Sequence, residues 1–309
     1  MEVLQRELDS TTTLQQLLNI VQRQGHAFDE RLLLQALDKL VRMLKPQRSS
    51  QGEQEVALLE ELSALVMNML PSADPLRLVD LLHSFAHLGH NPGQGQKGLT
   101  EICSQLRERV LPVLVQSDSE LLIINLLWTV SRFTHQGVLR ADEELFITLA
   151  PLLTPRLHLM QFSKLAKLAQ AFAGMRINSW VLMDGISRAA YNKIHAQDFD
   201  PASVTNILSA MAQLGIQGAG PQPGSKNETF FGAIAHRLQT QPQLFKAQHK
   251  VTCIKALATL RYDDEDFWHK VGPHVLRHMS ALSGVQLQHL AWAWAVRRVS
   301  DVALLLNVS

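Results

Sequence analysis

Apolar residues recur along this chain at three- and four-residue spacing, the period that puts them on one side of an α-helix. Leu78, Leu81, Leu82, Phe85 and Leu88 form one such stripe, and Ile123, Leu126, Leu127, Val130 and Phe133 form another. Val204, Ile207, Leu208, Met211 and Leu214 repeat it. No segment alternates apolar and polar residues as a half-buried strand does, so the pattern predicts an all-α protein. The stripes belong to a recurring phrase. It reads DPLRLVDLLHSFAHLGH from Asp74, SELLIINLLWTVSRFTH from Ser119, FSKLAKLAQAFAGMRI from Phe162 and DPASVTNILSAMAQLGI from Asp200. QHKVTCIKALATLRY from Gln248 and VQLQHLAWAWAVRRV from Val285 continue it, and DERLLLQALDKLVRM from Asp29 is a degenerate first copy.

One column of the phrase holds Asp38, Ala86, Ser131, Ala173, Ala212, Ala258 and Ala295, separated by 48, 45, 42, 39, 46 and 37 residues. Its small side chains predict close approach of a neighbouring helix. Asp74-Pro75 and Asp200-Pro201 each offer a capping carboxylate followed by proline at the first helical position. Gly89 and Gly215 stand where a left-handed helix end is expected. A second amphipathic segment follows each phrase: LTEICSQLRERVLPVL from Leu99, DEELFITLAPLL from Asp142, SWVLMDGISRAAYNKI from Ser179, NETFFGAIAHRLQ from Asn227 and DEDFWHKVGPHVLRHM from Asp264. Residues 12–24 supply a helix ahead of the first copy. Residues 45–52, 91–98 and 218–226 read as inter-helix loops.

About seven helix-turn-helix repeats of 37–48 residues predict an α-solenoid coiling as a right-handed superhelix. The expected organisation is a single solenoid over residues 1–309. Residues 1–72 hold degenerate opening helices and the first repeat, 73–282 the central repeats, and 283–309 an incomplete last repeat.

Composition narrows the function. Of 309 residues, 46% are hydrophobic, enough for a continuous core, which argues against disorder. Lys plus Arg total 29 against 28 acids, a net charge of +1, so the chain is no bulk polycation. Two cysteines, Cys103 and Cys253, make neither a disulfide framework nor a four-thiolate zinc site. The longest apolar stretch, residues 121–130, is interrupted by Asn125 and falls short of the ~20 residues of a membrane span, so no membrane insertion is expected. The beginning, with Glu2, Glu7 and Asp9, lacks the Arg- and Ser-rich character of a transit peptide.

Enzyme signatures do not hold together. Residues 93–98 match GxGxxG, but a helix rather than a strand is expected before them, so the expectation is a loop and no cofactor. Among 13 histidines, His83, His87 and His90 have helical spacing, as do His274 and His278 with His269 nearby. HExxH is absent, no metal is expected, and His83 and His87 fit a polar helix face. Cys103 and Cys253 sit in apolar segments and read as core. Asp263, Asp264, Glu265 and Asp266 lie at a helix start, where carboxylates cap backbone amides. A catalytic role is not expected.

What remains is the polar face of the first helix of each pair. Its columns hold Arg77, Asp80, His83, His87; Leu122, Asn125, Trp128, Arg132; Lys164, Lys167, Gln170, Gly174; and Ser203, Asn206, Ser209, Gln213. His249, Thr252, Lys255, Thr259 and then Gln286, His289, Trp292, Val296 complete them. Five Lys or Arg stand against one Asp, so positive charge gathers on this face. Arg77, Arg132, Lys164, Lys167 and Lys255 suit RNA phosphates. Asn125, Gln170, Asn206, Ser209, Gln213 and His289 suit base edges, with Trp128 and Trp292 placed to stack.

The phrases LLHSFAHLG, NILSAMAQLG, LLWTVSRF and HLAWAWAV resemble the octotricopeptide and heptatricopeptide repeats of algal and protist organellar RNA-binding proteins, often associated with a RAP domain. The opening LQQLLNIVQRQGHAFDERLLLQALDKLVRM looks like the segment that often precedes such repeats. No RAP-like segment follows within these residues. The resemblance implies a non-enzymatic protein of an organelle, a mitochondrion rather than a plastid. Its ligand would be single-stranded or looped RNA, mRNA or rRNA, in organellar RNA metabolism or translation. The irregular repeat length favours a place in a large assembly such as an organellar ribosome, alongside other proteins. The alternative is a protein-binding scaffold of an organellar complex without RNA contact, which would use the same surface or the apolar closing segment, residues 302–308.

Overall fold

The computed structural model describes residues 2–44, 52–93, 96–117, 119–135, 143–194, 199–216, 229–276 and 279–297, and all regular structure among them is helical. Two compact units divide the chain, Met1–Leu145 and Phe146–Ser309. In the first, α1 (Glu2–Ser10), α2 (Leu14–Gln24), α3 (Glu30–Leu44), α4 (Glu53–Met69) and α5 (Pro75–Leu88) precede α6 (Gln96–Gln105). A π-helical turn, Leu106–Val110, joins α6 to α7 (Leu111–Gln116), and α8 (Glu120–His135) follows. The second unit holds most of α9 (Glu143–Leu153), then α10 (Phe162–Gly174), α11 (Trp180–Ile194), α12 (Pro201–Gln213) and α13 (Phe230–Thr240). It continues with α14 (Ala247–Thr259), α15 (Glu265–Leu276) and α16 (Gly284–Arg297).

The repeated phrase becomes α3, α5, α8, α10, α12, α14 and α16, and the amphipathic segments between them become α6–α7, α9, α11, α13 and α15. Helices α1 and α4 lie outside the phrase, yet each buries its own apolar stripe: Leu4 and Leu8 on α1, Leu58, Leu59, Leu62 and Val66 on α4. Packing follows chain order within each unit. In the first, α3 packs on α5 and α5 on α8, while α2 packs on α4. In the second, α10, α12, α14 and α16 pack in series, and α11, α13 and α15 form a parallel series beside them. Pairs related by one repeat are therefore neighbours, because each phrase presents one apolar stripe toward the copy before and the copy after. Phe85, Phe133, Phe172 and Leu208 are fully buried along those seams.

The expected helix ends are present. Asp74 accepts hydrogen bonds from the amides of Leu76 and Arg77, and Asp200 from those of Ala202 and Ser203, with Pro75 and Pro201 at the first turn. Gly89 (φ +71°) and Gly215 (φ +66°) adopt the left-handed conformation. Arg176 and Arg261, both at φ +56°, occupy the same position after α10 and α14. All four make the same paired closure. The left-handed residue donates its N–H to Ala86, Ala173, Ala212 or Ala258 at 3.0–3.2 Å, and the next residue donates to Phe85, Phe172, Met211 or Leu257 at 2.9–3.1 Å. The small-residue column thus closes the helices as well as lining their seams.

That column is not uniform. Ala86, Ser131, Ala173 and Ala258 are buried, Ala212 is half-buried, and Asp38 and Ala295 are exposed. A second recurring contact has no counterpart in the repeat pattern. Arg109 donates to the carbonyls of Leu70 and Ala73 beyond α4, at 2.5 Å each, and to Gln105. Arg237 donates to the Ile194 carbonyl ending α11, at 2.6 Å, and to Gln241. Each arginine ties one second-layer helix to the end of the one before it, satisfying carbonyls that lack intrahelical partners.

Candidate functional site

The polar columns of successive first helices meet one another. In the first unit Asn125 on α8 donates to Asp80 on α5, and His83 faces Trp128 with ring centroids 5.1 Å apart. In the second, the Lys255 ammonium on α14 donates to His289 Nε2 on α16 at 2.8 Å. Side chains about 34–46 positions apart in the chain therefore meet across these two pairs of packed helices, because the polar faces of α5 and α8, and of α14 and α16, lie side by side.

The residues proposed to contact phosphate stand differently along that row. Arg132 is exposed, with its guanidinium 5.7 Å from the Trp128 ring centre. Arg77 is exposed and 3.8 Å from Glu30. Lys164 and Lys255 are half-buried, as is Lys167, whose pKa is lowered by burial to about 8. A half-buried ammonium at that value is still largely charged at neutral pH. Partial burial, then the Lys255 charge, hold the His289 pKa below its usual range, so the imidazole accepts the lysine's hydrogen bond in its neutral form.

Of the residues proposed to contact bases, Gln170 and Gln213 are exposed, and Asn206, Ser209 and His289 half-buried. Trp292 is 43% exposed and Trp128 half-buried. Asn125 is only 7% exposed and spends its amide on Asp80. Ser203, in the leading column, is also buried and donates its hydroxyl to Asp200. Both therefore belong to helix packing and capping, and the surface row runs through the other residues of these columns. Asp80 has its pKa raised by burial and by Asp38, opposed by the Asn125 hydrogen bond.

The other sequence features find structural roles. Helix α5 precedes Gly93 and α6 begins at Gln96, while residues 94 and 95 lie outside the described residues. A Cβ on Gly98 would lie 2.8 Å from Gly93 Cα, so backbone contact explains both glycines. Asp264 caps α15 through the Phe267 amide at 3.1 Å. Cys253 is fully buried, with its thiol pushed up to about 12 by burial, the reverse of an activated nucleophile. His90 donates or accepts at Ser63 Oγ, 3.0 Å away, beneath the end of α5. Among the described residues no three His, Cys, Asp or Glu side chains gather as metal ligands, and no helix is long and apolar enough to cross a membrane. His278 and the closing residues 302–308 lie outside the described residues. No protein-family model matches the chain, and no curated protein matches it.

Proposed function

We propose that the chain is a non-enzymatic helical-repeat protein whose helix pairs stack as an α-solenoid and hold single-stranded RNA along the polar row of the first helices. The observation that carries this reading is the meeting of polar columns across packed helices, Lys255 with His289 above all. It turns dispersed polar positions into a track within each unit, and a single strand needs such a track for successive phosphates and bases. Lys164, Lys167, Lys255, Arg132 and Arg77 contact phosphate. Gln170, Gln213, Asn206, Ser209 and His289 contact base edges, and Trp292 and Trp128 offer stacking faces. At about one nucleotide per repeat, the repeats together would hold roughly six nucleotides. The setting implied by the repeat phrases is organellar, mitochondrial first, in RNA metabolism or translation and as part of a ribosome-like assembly.

The test is binding of the whole chain to a randomised single-stranded RNA pool over a salt series. Replacing both Lys164 and Lys167 by Glu removes two phosphate contacts, so affinity falls and the log–log salt slope shrinks by about 1.4. An unchanged affinity and slope in a variant with native circular dichroism would overturn the assignment. The second reading, a protein scaffold, is favoured by exposed apolar side chains at the start of α11 and before α10, with Trp180 at 49%, Val181 at 69% and Leu159 at 70% exposure. Salt-insensitive association with a protein, lost on replacing Trp180 by Ser, would select it.

A further inference from the structure

His83 and His87 lie one helical turn apart on α5, and their Nε2 atoms approach to 3.1 Å with ring centroids 4.5 Å apart. Two metal–imidazole bonds of about 2.0–2.1 Å would span that separation with an angle near 100° at the ion, between the square-planar and tetrahedral values. The rings are held in this arrangement from below. Trp128 packs against both, its ring centre 5.1 Å from His83 and 4.7 Å from His87. Thr129, fully buried, places Oγ1 3.2 Å from His83 Nδ1. A hydroxyl accepting Nδ1–H leaves Nε2 as the lone-pair nitrogen, which is how an outer partner orients a metal-binding imidazole. His87 is exposed, so its edge opens to solvent.

We propose that His83 and His87 form a two-histidine site for a divalent first-row transition ion, Cu2+ before Zn2+, with water completing the coordination. Imidazole nitrogen suits these ions, and Cu2+ binds a given nitrogen site more tightly than Zn2+. Without metal, the 3.1 Å contact requires one imidazole to donate to the other. With His83 Nε2 as acceptor, His87 is the donor. Binding the ion then moves the His87 proton from Nε2 to Nδ1, a tautomer change that releases no proton. Asp80, one turn before His83 on α5, feels the charge of Asp38, and this negative side of the pair favours a cation. The Arg132 guanidinium, 5.7 Å from the Trp128 ring centre, opposes it. With only two protein ligands, the site is an open one.

The experiment uses the full chain, stripped of metal, without RNA, so its outcome is independent of the RNA reading. Titration with CuCl2 is followed by tryptophan fluorescence and by electron paramagnetic resonance. One equivalent of Cu2+ should quench part of the emission and show two equatorial nitrogen ligands. The His83→Gln/His87→Gln double variant should bind at least about tenfold more weakly, and Thr129→Val about tenfold more weakly. Trp128→Phe should keep the binding and lose most of the quenching. A His274→Gln variant should behave as wild type. Unchanged affinity and nitrogen signature in the double variant, or quenching that persists in Trp128→Phe, overturns the site. The two histidines lie on the outer face of α5, so their variants decide the outcome even where Thr129→Val disturbs the core.

Discussion

Replacing Arg237 by Met tests whether the second-layer helices are tied end to end by arginine. The guanidinium bonds the Ile194 carbonyl at 2.6 Å, bonds Gln241 at 2.5 Å one turn along the chain, and stacks 4.7 Å from the Phe199 ring centre. Met keeps the apolar stem and removes the fork. The charged bond to a helix-end carbonyl is worth about 1.5 kcal/mol or more. The cation–π contact adds about 0.5–1 kcal/mol, and the bond to Gln241, within one turn of the helix surface, only a few tenths. The expected loss is about 2–3 kcal/mol. For a cooperative unit of this size that lowers the melting temperature by about 5–10 °C. Urea and thermal unfolding of Arg237→Met, with Phe199→Leu and the double variant, separate the ring contact from the carbonyl bond. A loss below about 0.5 kcal/mol in Arg237→Met would show that water satisfies the Ile194 carbonyl equally well, and the latch would be ornamental.

Further outcomes follow from burial and charge. Ala173→Leu, at a buried helix-end position, should destabilise by about 1–3 kcal/mol through overpacking, whereas Ala295→Leu on an exposed surface should change little in the same unfolding assay. Burial lowers the His90 pKa, with Glu60 opposing, so the folded state binds fewer protons than the unfolded one. Stability should therefore fall as pH drops below about 6.5, and His90→Gln should flatten that slope in urea titrations from pH 7.5 to 5.5. Because burial sets Lys167 near 8, its charge fades as pH rises from 7 to 9, and RNA affinity should weaken over that range. Lys167→Arg should keep affinity level there, since a guanidinium stays charged. Cys253 should react with a thiol reagent only as fast as the core opens, and denaturant should accelerate it sharply.

Much of the helical framework was legible because its signals are local. The three- and four-residue period of Leu78 to Phe85 needs no knowledge of the fold, and neither do Asp74-Pro75, Asp200-Pro201 or the glycines at 89 and 215. Each acts within one or two turns of its own helix. Arg176 and Arg261 were illegible by the same logic: they close α10 and α14 in the left-handed conformation, yet nothing in an arginine announces it. The helices α1 and α4 escaped the repeat pattern because they bury apolar stripes without copying the phrase.

The polar row was half legible. Sequence alone determined which side chains share the outward columns of each helix, since that depends on rotation per residue. Which of those columns reach solvent depended on how neighbouring helices pack, and only the tertiary structure decided it. It buried Asn125 against Asp80 and Ser203 against Asp200, left Gln170, Gln213 and Trp292 at the surface, and set Lys255 against His289. The pairing of His83 with His87 could be read as a spacing, but the approach of the two nitrogens and the Thr129 and Trp128 contacts beneath them could not. Those partners come from α8, some 40 residues further along the chain. Periodicity fixes a residue's direction on its own helix, whereas contact with a distant residue exists only once packing has brought two such directions together.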